Sequence, residues 1–153
     1  MEIIEQGNIF DSRAQTLVNT VNCVGIMGKG LALQFKKKYP DMFRVYQDIC
    51  NKRCLDIGKL WLYKTDHRWI LNFPTKYDWR NPTEESYLKL GLEKFMATYK
   101  QKEITSIAFP LLGASNGGLP PERSLEIMMH YLKDCEIPVT IYKTYKANDI
   151  LLF

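Results

Sequence analysis

Little in this sequence points to a disulfide framework, a membrane span or a metal centre. It holds only four cysteines (Cys23, Cys50, Cys54, Cys135) and two histidines (His67, His130) among 153 residues. Cys50 and Cys54 stand one helical turn apart, but a second Cys/His pair at ligand spacing is missing. No metal is therefore assigned, and the thiols read as reduced core or surface groups. No apolar run approaches the ~20 residues of a membrane span. The first residues, Met1-Glu2-Ile3-Ile4-Glu5, are acidic and lack the apolar stretch of a signal peptide, which makes the cytoplasm the expected location. Repeats, linkers and low-complexity tracts are absent. The excess of positive charge is only +4, which permits contact with a polyanion without demanding it. Gly25, Gly28 and Gly30 do not follow the G-x-G-x-x-G order, and no Gly-Lys-Ser/Thr closes a phosphate loop. A P-loop kinase and a Rossmann oxidoreductase are thereby disfavoured.

What is present is a globular composition, 46% apolar and 25% charged. It reads as one domain over residues 1–153, able to bury roughly 68–70% of its unfolded surface. Strands and helices alternate. Glu2–Ile9 and Thr16–Val21 read as strands, the second apolar enough to sit centrally in a sheet. Leu31, Phe35 and Tyr39 form a helical stripe, with Lys36, Lys37 and Lys38 as a solvated face. Pro40 and Asp41 start a further helix that runs to about Asn51. Leu60–Tyr63 and Trp69–Phe73 read as strands. Asn81-Pro82-Thr83-Glu84 has the form of an N-cap, a Pro at N1 and a Glu at N3, ahead of a helix with Leu88, Leu92, Phe95 and Tyr99 on one face. Ser106–Pro110 is a short buried strand. Pro120 opens a helix with Leu125, Met128, Met129 and Leu132 inward, and Val139–Tyr142 is a last strand. The order predicts an α/β three-layer sandwich, a mixed sheet with helices on both faces and ligands beyond the carboxyl ends of its strands.

Two glycine-rich turns sit at such ends: Val24-Gly25-Ile26-Met27-Gly28-Lys29-Gly30 and Leu112-Gly113-Ala114-Ser115-Asn116-Gly117-Gly118-Leu119. Glycines let backbone N–H groups crowd around a phosphate, and a helix N-terminus adds partial positive charge. Two such turns point to two phosphates. Either turn alone could equally be an ordinary strand-to-helix connection in which Gly merely supplies a positive φ.

Thr16-Leu17-Val18-Asn19-Thr20-Val21-Asn22, the Gly25–Gly30 turn, Asn72-Phe73-Pro74-Thr75-Lys76 and Pro110–Leu119 together resemble a macrodomain. The resemblance spans nearly the whole chain. Within that family the chain looks like the branch of DarG, the antitoxin that removes ADP-ribose from DNA, and of terminal ADP-ribose protein glycohydrolase. The resemblance implies ADP-ribose as ligand, its diphosphate between the two turns, and no cofactor. It places the adenine near Gly7-Asn8-Ile9, where Asn8 stands in for the usual Asp and accepts the same hydrogen bond without a charge, with stacking on an aromatic near Tyr142 or Tyr145. Asn22 falls where the family holds the distal ribose, with an amide able to donate and to accept; its bland alternative is a turn residue. Asn19 reads as structural, bonding backbone at the strand end. Thr75 belongs to the same ligand-binding set.

Lys76 closes the Asn-Phe-Pro-Thr-Lys motif in which that branch carries its catalytic lysine. A neutral amine there can attack the anomeric carbon of the distal ribose and pass through an imine-type adduct. Partial burial and cations such as Lys29 or Arg80 would favour the uncharged form. The terminal protein glycohydrolase has an Asp in its second glycine turn, whereas Gly113–Leu119 holds no acid, which favours the DNA-directed reading and leaves the proton donor open, with Asp78 a guess. Tyr77, Trp79 and Arg80 mix rings and charge in the manner of single-strand binders; the alternative is a loop whose Trp79 packs as a lid on the core. The expected partners are ADP-ribosylated single-stranded DNA and a cognate transferase toxin, with no membrane, and the chain is expected to be a monomer. The competing readings are a hydrolase of ADP-ribosylated Glu or Asp on proteins and a non-catalytic reader of ADP-ribose. DarG proteins continue past the macrodomain, so 153 residues fit either a stand-alone form or a trimmed one.

Overall fold

The computed structural model describes residues 1–146. Six strands, β1 (Glu2–Ile4), β2 (Thr16–Val21), β3 (Trp61–Lys64), β4 (Trp69–Pro74), β5 (Ile107–Pro110) and β6 (Val139–Tyr142), form one sheet in the order β1-β6-β5-β2-β4-β3. β3 runs antiparallel to β4 and every other neighbouring pair is parallel. The helices are α1 (Gly30–Lys38), α2 (Pro40–Asn51), α3 (Glu85–Thr98) and α4 (Pro121–Leu132).

The two-residue period of the central strands divides their side chains between two cores. Leu17 and Val21 of β2 and Ile70 of β4 pack with Phe35, Met42 and Tyr46 of α1 and α2. Val18, Leu71, Phe73, Ile107 and Phe109 pack on the opposite face with Leu88, Leu92, Phe95, Ile127, Met128 and Leu132 of α3 and α4. Helices thus cover both faces, as the sequence predicts. Among the described residues no helix is long and apolar enough to cross a membrane.

Four local expectations need correction. The first strand ends at Ile4, because Asn8 caps a short 3-10 turn over Ile9–Asp11 by accepting from Phe10 N at 2.9 Å. The helix after Asn81 starts only at Glu85, with Glu84 as its cap residue and no side-chain capping bond. Thr83 N instead donates to Gly117 O at 2.9 Å, which draws residues 81–84 into the second glycine loop. On α4 the inward face is Ser124, Ile127, Met128 and Leu132, while Met129 is exposed. Asn19 does not bond backbone. It is wholly buried opposite Asn72 in the β2–β4 register, and its Nδ2 donates to Asn72 Oδ1 at 3.1 Å.

Candidate functional site

Three loops leave the same edge of the sheet because β2 lies parallel between β4 and β5. Those loops are the first glycine turn, the Thr75–Asn81 segment and the second glycine turn. Backbone bonds zip the first two together: Thr75 N donates to Val21 O at 3.0 Å and Cys23 N to Tyr77 O at 2.8 Å.

Asn22 organises the first turn. Its Oδ1 accepts from Val24 N (3.1 Å), Ile26 N (3.3 Å) and the Tyr46 hydroxyl (2.8 Å), and its Nδ2 donates to Ile26 O (2.7 Å). The carbonyl is therefore already engaged, and one amide proton is left without an acceptor among the described residues. Asn22 can donate to a sugar hydroxyl but does not offer the two-way bonding expected of it. Gly25 and Gly30 turn the chain at φ +90° and +56°. The Gly25 N–H lies against the Tyr46 oxygen and the Cys50 sulfur, whereas the N–H groups of Met27, Gly28, Lys29 and Gly30 have no acceptor among the described residues. Met27 contributes backbone only, since its side chain is buried.

The second turn is similarly wound, with Gly113, Ser115 and Gly118 at φ +69°, +59° and +84°. Its own bonds use the amides of Gly117 (to Ala114 O, 3.2 Å), Gly118 (to Ser115 O, 3.3 Å) and Leu119 (to Gly113 O, 3.0 Å). Gly113, Ala114, Ser115 and Asn116 keep four consecutive N–H groups without acceptors among the described residues, the arrangement of an anion-binding nest. Buried Thr83 supports this turn from beneath: a Cβ at Gly113 or Gly117 would come within 2.8 or 2.6 Å of it. Ser124 anchors the start of this turn by donating to the oxygen of buried Leu112. The two turns meet where Asn116 Nδ2 would stand 2.9 Å from a Cβ at Gly30.

Lys76, half-buried, crosses this junction. Its Nζ donates to Asn116 O at 2.7 Å and to Trp79 O at 3.1 Å. Both partners are acceptors, so the two main-chain oxygens fix the direction of the Lys76 nitrogen. Arg80 does not act as an isolated cation beside it, because it forms a fork with Asp78 (2.9 and 2.7 Å). The Arg80 guanidinium and backbone N–H hold the Asp78 carboxyl down at about 2, which disfavours its protonated form near neutral pH. Trp79 and Tyr77 are 45% and 52% exposed, and Trp79 is no lid on the core.

After β6, Gly7 N donates to Thr144 O at 3.0 Å and Gly7 pairs with Tyr145. The backbone of exposed Tyr145 thus runs beside Gly7, next to Asn8 in the chain. Tyr142 is buried, its ring 3.2 Å from where a Gly7 Cβ would lie. Tyr145 is thus the ring of the two that is open to a base.

Sequence reasoning missed Tyr46, Thr83 and Gly91. Tyr46 had a signal, since Met42, Tyr46 and Cys50 share the buried stripe of α2. Thr83 and Gly91 owe their importance to contacts with Gly117 and Phe73, distant in sequence. Burial pushes the Cys23 thiol up to about 12 and raises that of Cys50, which makes both inert cores to the first turn rather than nucleophiles.

Comparison with known proteins bears on the family and the fold. The Macro domain family model matches residues 18–128. A Thermus aquaticus protein named DNA ADP-ribosyl glycohydrolase is 43% identical over 119 residues, which cover 75% of this chain and 33% of that protein. A Thermosipho africanus protein named DNA ADP-ribosyl transferase-DNA ADP-ribosyl glycohydrolase fusion protein is 40% identical over 156 residues, 90% of this chain and 40% of its own. The chain spans a third to two fifths of the length of these relatives. Among solved structures, the macrodomain of Mycobacterium tuberculosis DarG superposes with a TM-score of 0.87 at 38% identity, covering 92% of this chain and 96% of that one. Thermosipho africanus DarTG in complex with ADP-ribose gives 0.85 at 39%, covering 95% and 41%.

Proposed function

The chain belongs to the Macro domain family, and from that premise we propose that it is an ADP-ribosyl glycohydrolase that releases ADP-ribose from modified bases of single-stranded DNA. The observation that carries this reading is the position of Lys76, held by two main-chain oxygens at the junction of two turns lined with free amides. Those amides, Met27–Gly30 on one side and Gly113–Asn116 on the other, take the diphosphate oxygens. Asn8, Ile9 and Tyr145 take the adenine end, and the free amide proton of Asn22 meets the distal ribose.

In the reaction, the Lys76 lone pair forms a bond to the anomeric carbon of the distal ribose. The ring oxygen leaves that carbon as a hydroxyl, and the base departs with a proton as the carbon–nitrogen double bond forms. Water then adds to this imine, the ribose recloses, and the amine is freed. The mechanism gives the lysine a role that binding alone does not require. The missing acid in the second turn, where main-chain oxygens hold Lys76 instead, favours a DNA base over a protein carboxylate as the attachment point. The names of the relatives support the same substrate and a cognate transferase as biological partner. The reading includes a cytoplasmic monomer as the working form.

Wild type and Lys76→Ala are compared on ADP-ribosylated single-stranded DNA and on ADP-ribosylated protein carboxylates. Wild type should release ADP-ribose from the DNA, and the variant should be slower by at least about a hundredfold. Equal rates would remove Lys76 as nucleophile. Binding of ADP-ribose without release from either substrate would make the protein a reader.

A further inference from the structure

Tyr46 lies on the inward face of α2, wholly buried between Met42 and Cys50. A buried phenol needs a partner for its hydroxyl, or desolvation counts against the fold. This one has its oxygen 2.8 Å from Asn22 O and 2.8 Å from Asn22 Oδ1, with the Cys50 sulfur also within its reach. The Gly25 N–H lies against the same oxygen. One hydroxyl from a helix thus touches both acceptors of the residue that opens the first glycine turn, and the glycine that bends it.

The consequence is an orientation. Asn22 Oδ1 faces three donors, Tyr46 OH, Val24 N and Ile26 N. Flipping the amide would set its NH2 against the Val24 and Ile26 N–H groups and its oxygen against Ile26 O, with only the Tyr46 oxygen able to accept in return. The oxygen is locked inward, and the remaining N–H of Nδ2 is all that Asn22 can present to a ligand. Without the Tyr46 hydroxyl the lock loses its only side-chain donor and the tether to α2, while Val24 and Ile26, both exposed on the loop surface, would have to hold the amide alone.

We propose that Tyr46 is a positioning residue: its hydroxyl fixes the Asn22 amide as a donor toward the distal sugar and thereby sets the selectivity of the cleft for ADP-ribose over ADP. This rests on the reading that the cleft takes ADP-ribose. The diphosphate is met by Met27–Gly30 and Gly113–Asn116, whose amides make no bond to Asn22 or Tyr46, so the effect is confined to the sugar that ADP lacks.

Tyr46→Phe keeps the ring and removes only the oxygen. Titration calorimetry with ADP-ribose and with ADP separates the roles: the variant should lose about tenfold in affinity for ADP-ribose and less than about twofold for ADP. If both ligands weaken by the same factor, or neither does, Tyr46 is not a positioning residue. If wild type binds no ADP-ribose, the functional reading itself fails, a result distinct from either. Amide exchange in wild type gives a second measurement that does not depend on the variant folding. Val24 N and Ile26 N should be protected despite their exposed side chains, and exchange at the rate of an open loop would overturn the proposal.

Discussion

Lys76 Nζ stands 2.7 Å from the main-chain oxygen of Asn116, 40 residues away in the chain. This bond ties the end of β4 to the second glycine turn. The same Asn116 turns its side-chain amide toward Gly30 at the start of α1. The three segments that the functional reading needs are therefore joined through one residue, and the nitrogen proposed as nucleophile belongs to the same network as the amides proposed to hold the phosphates. Positioning of this kind converts a flexible four-carbon side chain into a directed group.

Gly91 should tolerate no side chain. A Cβ there would lie 2.2 Å from Cζ and 2.5 Å from Cε1 of Phe73, and both elements are fully packed. Ala is the better helix former by about 1 kcal/mol, but overpacking of this kind costs about 1–3 kcal/mol, and a contact this short belongs at the upper end. Gly91→Ala is expected to lower the denaturant midpoint without changing the slope; an unchanged or raised midpoint would show that Phe73 is free to move.

Gly117 and Gly118 are neighbours with opposite demands. A Cβ at Gly117 meets Thr83 Oγ1 at 2.6 Å, whereas a Cβ at Gly118 meets nothing within 4 Å and suffers only from φ +84°. Gly117→Ala should displace Thr83 and the turn above it, weakening ADP-ribose binding. Gly118→Ala should cost about 1–2 kcal/mol of stability and leave affinity nearly intact. Calorimetric binding and thermal melts on the pair decide this, and equal affinity losses would contradict it.

The Asp78–Arg80 fork sets an acid-sensitive contact beside Lys76. With its folded value near 2 against an ordinary 3.8, the carboxyl adds stability that is fully present above its unfolded value. That stability is lost as pH falls through the folded one. The loop should therefore hold its geometry at neutral pH and loosen only between about pH 4 and pH 2. Carbon-13 NMR of the Asp78 carboxyl is expected to titrate at about 2; a midpoint at the ordinary aspartate value would mean that the fork does not form in solution.

Trp79 is exposed, with the Arg80 guanidinium 5.6 Å from its ring centre. An exposed ring close in the chain to Lys76 suits stacking of a base next to the modified one, worth about 1–3 kcal/mol. Trp79→Ala should reduce turnover of ADP-ribosylated DNA by about tenfold or more and leave binding of free ADP-ribose close to wild type. Equal losses in both would remove Trp79 from strand recognition.

The legible part of this molecule was carried by local signals. Hydrophobic period placed the helices and most strands, and the two glycine turns do follow strand ends. The Asn-Phe-Pro-Thr-Lys run singled out Lys76. Misreadings arose where a residue is claimed by something distant. Thr83 N is taken by Gly117 rather than by a helix cap, and Asn19 is paired with Asn72 across the β2–β4 register.

The sequence by itself determined the elements, their order and the chemical groups available at the cleft, because periodicity, turn glycines and side-chain types act within a few residues. Only the tertiary structure decided that β2 lies between β4 and β5, which brings three loops to one edge. It alone decided that the Tyr46 hydroxyl meets the Asn22 side-chain oxygen and that Arg80 pairs with Asp78. Those outcomes depend on the direction of hydrogen bonds between side chains that folding brings together, and direction is a property of packed geometry, not of residue type.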